Sequence, residues 1–257
     1  MEKKTNDQSP PRKRLDQLLI ERGLFASRTR ARAAIADGLV LVDGRAALKA
    51  SQSVDEHAAL DVDPRATLYV SRAAQKLAHA LDSFAIDPAG LDCLDVGAST
   101  GGFTQVLLER GARHITAVDV GHAQLAAEIA ADPRVTSIEG LNAKDLSAAH
   151  LSGPVGLIVC DVSFISLKKA LPAALALAGP GAFLIALIKP QFEVGRGRLG
   201  KGGIVKEPAL HAEVCEAISE WLAGLPGWRV IGITDSPIKG GDGNTEFLIA
   251  ASFDKET

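Results

Sequence analysis

Leu94-Asp95-Val96-Gly97-Ala98-Ser99-Thr100-Gly101-Gly102-Phe103 reads as the end of a strand, a turn of small residues and the start of a helix. A turn without side chains lets a ligand approach the backbone, and the helix behind it offers N–H groups with no intrahelical partner. A dinucleotide-binding turn reads G-x-G-x-x-G, and Ser99 stands where its second glycine belongs, which disfavours NAD. Asp95 argues the same way. A carboxylate just before the turn would repel a pyrophosphate, whereas it can accept hydrogen bonds from an ammonium or from water around one. The ligand expected here is zwitterionic, held by Asp95, Gly97, Ala98, Ser99, Thr100, Gly101, Gly102 and Phe103.

Outward from this turn, from residue 69 onward, apolar runs alternate with Ala-rich helical stretches, the pattern of an α/β domain with a largely parallel sheet. Strands are expected at 91–98, 115–120, 135–139, 157–162, 182–188, 229–233 and 246–253. The helix expected over 207–222 carries Leu210, Val214, Ile218, Trp221 and Leu222 at helical spacing, which marks a core face. Asp119 ends the second strand, where a carboxylate can take both hydroxyls of an adenosine ribose. Asn142 follows the third, placed for the adenine side, and the alternative for each of the two is a loop cap.

Four ionisable residues fall at ends of these elements: Lys76 on a helix ahead of the sheet, Asp161 after strand four, Lys189 after strand five and Glu246 opening the last. Ligands of such sheets sit at the carboxyl ends of parallel strands. Glu246 shares that edge if its strand is antiparallel.

The chain of 257 residues is 47% hydrophobic, enough for one substantial core and a small second domain. Its net charge of −3 gives no hint of a nucleic-acid partner, but the average hides a basic start. Leu15, Leu18, Leu19 and Gly23 outline a short helix, and Ser27 caps a second that Gly38 closes. Residues 39–42 run into a hairpin turn at Asp43-Gly44. Arg12, Lys13, Arg14, Arg22, Arg28, Arg30 and Arg32 crowd the two helices, interrupted by Asp16 and Glu21. On charge alone they fit either a phosphate-binding surface or a solvated helical face.

Two further features exclude function classes. Cys93, Cys160 and Cys215 lie far apart, an odd number without metal-ligand spacing, so neither a disulfide framework nor a metal site is expected, and a reducing compartment fits. The apolar stretch 171–188 approaches the length of a membrane span, but Gly179-Pro180-Gly181 is a turn signal that splits it into a helix end and a buried strand. With a polar start lacking an apolar h-region, a classical secretory signal is not expected.

Arg14-Leu15-Asp16-Gln17-Leu18-Leu19, Ser27-Arg28-Thr29-Arg30-Ala31-Arg32 and Gly38-Leu39-Val40-Leu41-Val42-Asp43-Gly44 resemble, in order, the S4 RNA-binding domain. The resemblance implies RNA contact by Arg14, Arg22, Arg28, Arg30 and Arg32. The runs Ser71 to Leu77, Asp95 to Phe103, Asp161-Val162-Ser163-Phe164-Ile165-Ser166, Lys189-Pro190-Gln191-Phe192-Glu193 and Gly243-Asn244-Thr245-Glu246 resemble an FtsJ-type ribose 2′-O-methyltransferase. The combination resembles the TlyA family, haemolysin-named rRNA methyltransferases acting on cytidine. The fold this implies is a Rossmann-like class I methyltransferase sheet of the α/β class with a small N-terminal α+β S4 domain. Its parts are a flexible basic arm at 1–13, the S4-like domain at 14–68 and the catalytic domain at 69–253.

The resemblance further implies S-adenosyl-L-methionine as cofactor, a catalytic tetrad of Lys76, Asp161, Lys189 and Glu246, and ribosomal RNA or ribosomal subunits as partner. A cytoplasmic monomer without stable membrane association is expected. Lys189, held near Lys76, orients or deprotonates the hydroxyl in this reading, while Asp161 and Glu246 fix the lysines. Asp161 also borders the expected cofactor site. The glycine-rich stretch 195–203 is a loop that either closes over RNA phosphates or is plain surface. Three competing readings are a base methyltransferase, which would want an Asn-Pro-Pro-aromatic loop or a cysteine nucleophile, a membrane-lytic protein, and an RNA chaperone with an idle cofactor pocket. Cys160 adjoins Asp161, but a free cysteine there is expected to face the sheet interior.

Overall fold

The computed structural model describes residues 11–25, 27–240 and 243–254. The chain divides into two compact units, with the boundary between Tyr69 and Val70.

The first unit contains β1 (Arg12–Arg14), α1 (Leu15–Glu21), α2 (Arg28–Ala36), β2 (Val40–Val42), β3 (Arg45–Ala46), β4 (Ser53–Asp55), β5 (Leu60–Val62) and α3 (Arg65–Leu68). Leu15, Leu18 and Leu19 share one face of α1 because three- and four-residue steps return to the same side of a helix, and that face is buried against Ala31, Ala34 and Ile35 of α2. The Ser27 hydroxyl caps α2 by accepting from the Arg30 N–H at 3.3 Å. Strands β2 and β3 form the expected hairpin, with Asp43 and Gly44 both at positive φ, as a two-residue turn matching strand twist requires. Residues 12 and 13, expected in a flexible arm, belong instead to β1, paired antiparallel with β4 from Arg12↔Asp55 to Arg14↔Ser53. The ladder had no apolar alternation to betray it. Residues 1–10 of the expected arm lie outside the described residues.

The second unit runs α4 (Ala73–Phe84), β6 (Asp92–Val96), α5 (Gly102–Glu109), β7 (His114–Asp119), α6 (Ala127–Ala130), β8 (Val135–Glu139), β9 (Val155–Cys160), α7 (Leu167–Ala170), α8 (Pro172–Leu175), β10 (Ala178–Ile188), α9 (Pro190–Glu193), α10 (Pro208–Ala223), β11 (Trp228–Asp235) and β12 (Phe247–Phe253). Its seven-stranded sheet has the order β11-β12-β10-β9-β6-β7-β8. Strands β6 to β10 are mutually parallel and β12 runs against β10. Leu157, Ile158, Val159 and Cys160 are all fully buried, as are Leu184, Ile185 and Ala186, because helices cover both faces of such a sheet and leave no solvent side.

One expected boundary is corrected. The Gly179-Pro180-Gly181 turn does not precede the fifth strand but lies inside β10, which starts at Ala178. The register on β9 shifts between Ala178 and Phe183, so the φ of +74° at Gly181 is absorbed as a bulge while the chain keeps its direction.

The topology places the site. Strand β6 pairs with β7 on one side and β9 on the other, so successive connections leave it in opposite directions and open a crevice at the carboxyl ends of these strands. The antiparallel register Ile188↔Phe247 brings the end of β10 beside the start of β12, and with it Lys189 beside Glu246, which immediately precedes its strand.

Candidate active site

The crevice is a cleft of about 620 Å³, within the usual range for small-molecule sites, lined by Gly97, Ser99, Asp119, Asn142, Asp161 and Ser163 among others. Gly97 is required where it stands. Its φ is +86°, and a Cβ there would lie 2.6 Å from the Asp161 carbonyl oxygen. Of the small-residue run, Gly97 and Ser99 line the cleft, whereas Phe103 is buried in the core and Gly102 packs on Ser71 and the Ala74 backbone. The turn therefore serves helix packing as much as ligand approach.

Asp95 has no exposed surface. Its Oδ2 accepts from the Thr104 hydroxyl at 2.7 Å, while Oδ1 is buried without a hydrogen-bond partner among the described residues. Burial, with the Asp161 charge adding to it against the Thr104 hydrogen bond, pushes the carboxyl up to about 7. The Asp119 carboxylate accepts from the Gly121 N–H at 2.7 Å through Oδ1 and from the Ser99 N–H at 2.8 Å through Oδ2, which leaves each oxygen further acceptor capacity facing the cleft. The Asn142 side chain accepts from the Lys144 N–H, capping a 3-10 turn, and the residue lines the cleft.

The four ionisable residues form two ion pairs. Lys76, on α4, and Glu246 are nearly buried and meet at 2.6 Å through Nζ and Oε2. The Lys189 Nζ lies 2.6 Å from Asp161 Oδ1, close in distance but outside hydrogen-bond angles, and donates to the Ser163 hydroxyl at 2.8 Å. The partners found for Lys189 are thus Asp161 and Ser163. Asp161 is fixed from behind, its N–H donating to the Val96 carbonyl at 3.0 Å.

Several contributors were missed in the sequence. Ser163 and Gln124 line the cleft, and Gln124 accepts from the Ser99 hydroxyl at 3.1 Å. Glu139 accepts from the N–H groups of Ala123 and Gln124 and so shapes the loop beside Asp119. Glu193 accepts from the Ser166 hydroxyl at 2.6 Å and the Leu167 N–H at 2.8 Å, tying the segment after Asp161 to the one after Lys189. Phe164 stands at the cleft 91% exposed, at positive φ, with its ring 5.2 Å from that of Phe192. The runs Asp161 to Ser166 and Lys189 to Glu193 held Ser163, Phe164 and Glu193, while Gln124 and Glu139 lay outside every quoted run, and nothing local distinguishes a cleft-lining side chain from any other.

The glycine-rich loop contains two short 3-10 turns, Arg196–Arg198 and Lys201–Gly203. It is tied to the segment carrying Glu246 by Asn244, a buried amide that accepts from the Val205 N–H and donates to the Gly203 carbonyl. Arg198 is paired with Glu213. Cys160 is fully buried, and desolvation drives its thiol well above its ordinary range, which is the opposite of what a thiolate nucleophile needs.

In the first unit the five arginines expected to contact RNA divide. Arg22 donates to the carbonyls of Glu56 and Ala58, and Arg30 to those of Thr67 and Tyr69. Arg14, Arg28 and Arg32 all donate to Asp16.

Comparison with known proteins gives two family matches: FtsJ-like methyltransferase over residues 69–253 and S4 domain over residues 13–60. The chain is 46% identical, over 93% of its length and 89% of the relative's, to the 16S/23S rRNA (cytidine-2′-O)-methyltransferase TlyA of Mycobacterium tuberculosis H37Rv. It is 40% identical to Hemolysin A of Brachyspira hyodysenteriae, over 91% of this chain and 98% of that one. A solved haemolysin-named structure from Streptococcus thermophilus superposes with a TM-score of 0.76 at 37% identity, covering 96% of this chain and 90% of its own. Among the described residues no helix is long and apolar enough to cross a membrane.

Proposed function

The chain belongs to the FtsJ-like methyltransferase family, in its S4-bearing TlyA group, and from that premise we propose that it transfers a methyl group from S-adenosylmethionine to a cytidine 2′-hydroxyl of ribosomal RNA. The observation that carries the reading is the pair of ion pairs, Lys76–Glu246 and Lys189–Asp161, at the carboxyl edge of the sheet, with Asp161 lining the cleft.

The residues present fit the cofactor. A buried carboxylate oxygen without a partner among the described residues, Asp95 Oδ1, stands just before the turn and would accept from an ammonium or its water, and Asp119 keeps acceptor capacity for ribose hydroxyls. Gly97 and Ser99 would hold the methionine side, Asp119 the ribose and Asn142 the adenine. When bound, S-adenosylmethionine supplies an electrophilic methyl on a sulfonium, so methyl activation asks nothing of the protein.

What the protein must supply is alignment of a weak nucleophile and removal of its proton. Lys189 is the group we assign to the hydroxyl: Asp161 and Ser163 fix its amine from two sides, which sets where a third partner can sit. Lys189 there would orient the hydroxyl and, in its neutral form, accept its proton, while the oxygen takes the methyl from S-adenosylmethionine, which leaves as the neutral thioether. Lys76, immobilised by Glu246, provides a second fixed positive charge at the same edge. Ribosomal RNA as substrate makes the cytoplasm the compartment, and a monomer suffices because the four groups come from one chain.

The test is transfer of labelled methyl from S-adenosylmethionine to purified ribosomal subunits and to naked rRNA, with nucleoside analysis of the product. A 2′-O-methylated cytidine, lost in Lys189→Ala with cofactor binding intact, is the expected result. A methylated base would move the chain to base methylation, and near wild-type transfer by Lys189→Ala would remove that lysine from the mechanism.

A further inference from the structure

The basic helices of the first unit contain one acidic residue that is not surface. Asp16 has no exposed surface, yet its carboxylate accepts from three guanidinium groups: Arg14 in a two-pronged contact at 3.1 Å to each oxygen, Arg28 at 3.0 Å and Arg32 at 3.1 Å. The three arginine side chains remain about half exposed, between 44% and 56%. Arg28 and Arg32 are four residues apart on α2 and so share a face, and Arg14 arrives from the end of β1. A buried carboxylate needs its charge compensated, but one bidentate arginine would go far toward that. Drawing three like charges onto it costs repulsion. A fixed group of cations with N–H donors to spare is what a run of backbone phosphates would engage, because each guanidinium offers five donors in a rigid fork.

We propose that Asp16 is a positioning residue for RNA: from beneath the surface it holds Arg14, Arg28 and Arg32 as a preformed three-pronged site for consecutive phosphates of the sugar–phosphate backbone. This rests on the RNA reading given above and deepens it. The gain is in ordering. Free arginines lose rotamer freedom when they bind phosphate, whereas these have lost it on folding. Phosphate contacts of this kind fix register without reading sequence.

The proposal and a simple charge model predict opposite signs. Asp16→Asn removes a negative charge next to the RNA surface, so if charge alone mattered the variant would bind RNA more tightly and with steeper salt dependence. Positioning predicts binding roughly tenfold weaker despite the added positive charge. The measurement is the affinity of the full chain for a naked rRNA transcript across a salt series, together with KM and kcat for methyl transfer. KM should rise more than kcat falls, and Asp16→Glu should recover part of the loss. Thermal melting checks that the first unit is folded. Should Asp16→Asn fail to fold, the double variant Arg28→Lys/Arg32→Lys decides: it keeps the charge at exposed positions but loses the fork geometry, so weaker binding supports the proposal and unchanged binding overturns it. Equal or tighter binding by folded Asp16→Asn likewise overturns it. If the wild-type chain shows no salt-dependent affinity for the transcript, the RNA reading fails instead.

Discussion

Breaking the Lys76–Glu246 pair should separate stability from catalysis. Both side chains are nearly out of water, 7% and 3% exposed, and meet at 2.6 Å. Removing one partner leaves an uncompensated buried charge, which costs ~3–5 kcal/mol, whereas replacing both by apolar groups of similar volume is often neutral or stabilising. The expected result is therefore that Lys76→Met and Glu246→Leu each destabilise the catalytic unit by about 3 kcal/mol or more, and the double variant recovers most of that while staying inactive. Arg113→Met is the control, since its pair with Asp92 has the arginine 67% exposed and such pairs contribute at most ~1 kcal/mol. Urea unfolding followed by tryptophan fluorescence suits the question. A chain of two units need not unfold in one step, but both tryptophans, Trp221 and Trp228, lie in the second unit, so the signal reports that unit alone. A loss in Lys76→Met no greater than in the Arg113→Met control would refute the claim that the pair is desolvated. Recovered activity in the double variant would refute its place in the reaction.

Three more outcomes are expected. Gly97→Ala should abolish cofactor binding, measured by calorimetry, because its Cβ meets the rigid carbonyl of Asp161 and its positive φ adds ~1–2 kcal/mol of strain; unchanged affinity would mean that the turn opens freely. Asp95, raised to about 7 by burial, contributes stability in its protonated form, fully present at acid pH and lost as pH rises through about 7. Between pH 6 and pH 8 the wild type should lose about 1 kcal/mol relative to Asp95→Asn, and parallel pH profiles for the two proteins would contradict this. Cys160, buried and with its thiol raised, should resist alkylation under native conditions while the half-buried Cys215 reacts first; Cys160→Ala should retain methyl transfer, and its loss would revive a cysteine-nucleophile mechanism.

The sequence by itself determined whatever depends on neighbours in the chain. Strand, glycine turn and helix follow from the order of small and apolar residues around Gly97, and the Asp43-Gly44 hairpin and the Ser27 cap follow from backbone preference and side-chain reach. As candidates, Asp161, Lys189 and Glu246 were legible too, because each stands at an element end on an edge that the strand pattern predicts, while Lys76 and the tetrad as a set came from the family resemblance. Which of them would pair was not. Lys76 meets Glu246 across 170 positions of sequence because α4 packs against β12, and a helix carries no local mark of the strand it will cover. Burial was equally hidden. In the sequence Asp16 only interrupts a basic run, and it becomes the point on which Arg14, Arg28 and Arg32 converge once α1 and α2 pack and shut its carboxylate away from water. A charge's meaning depends on the dielectric around it and on what stands within a few ångströms, and packing between distant segments sets both.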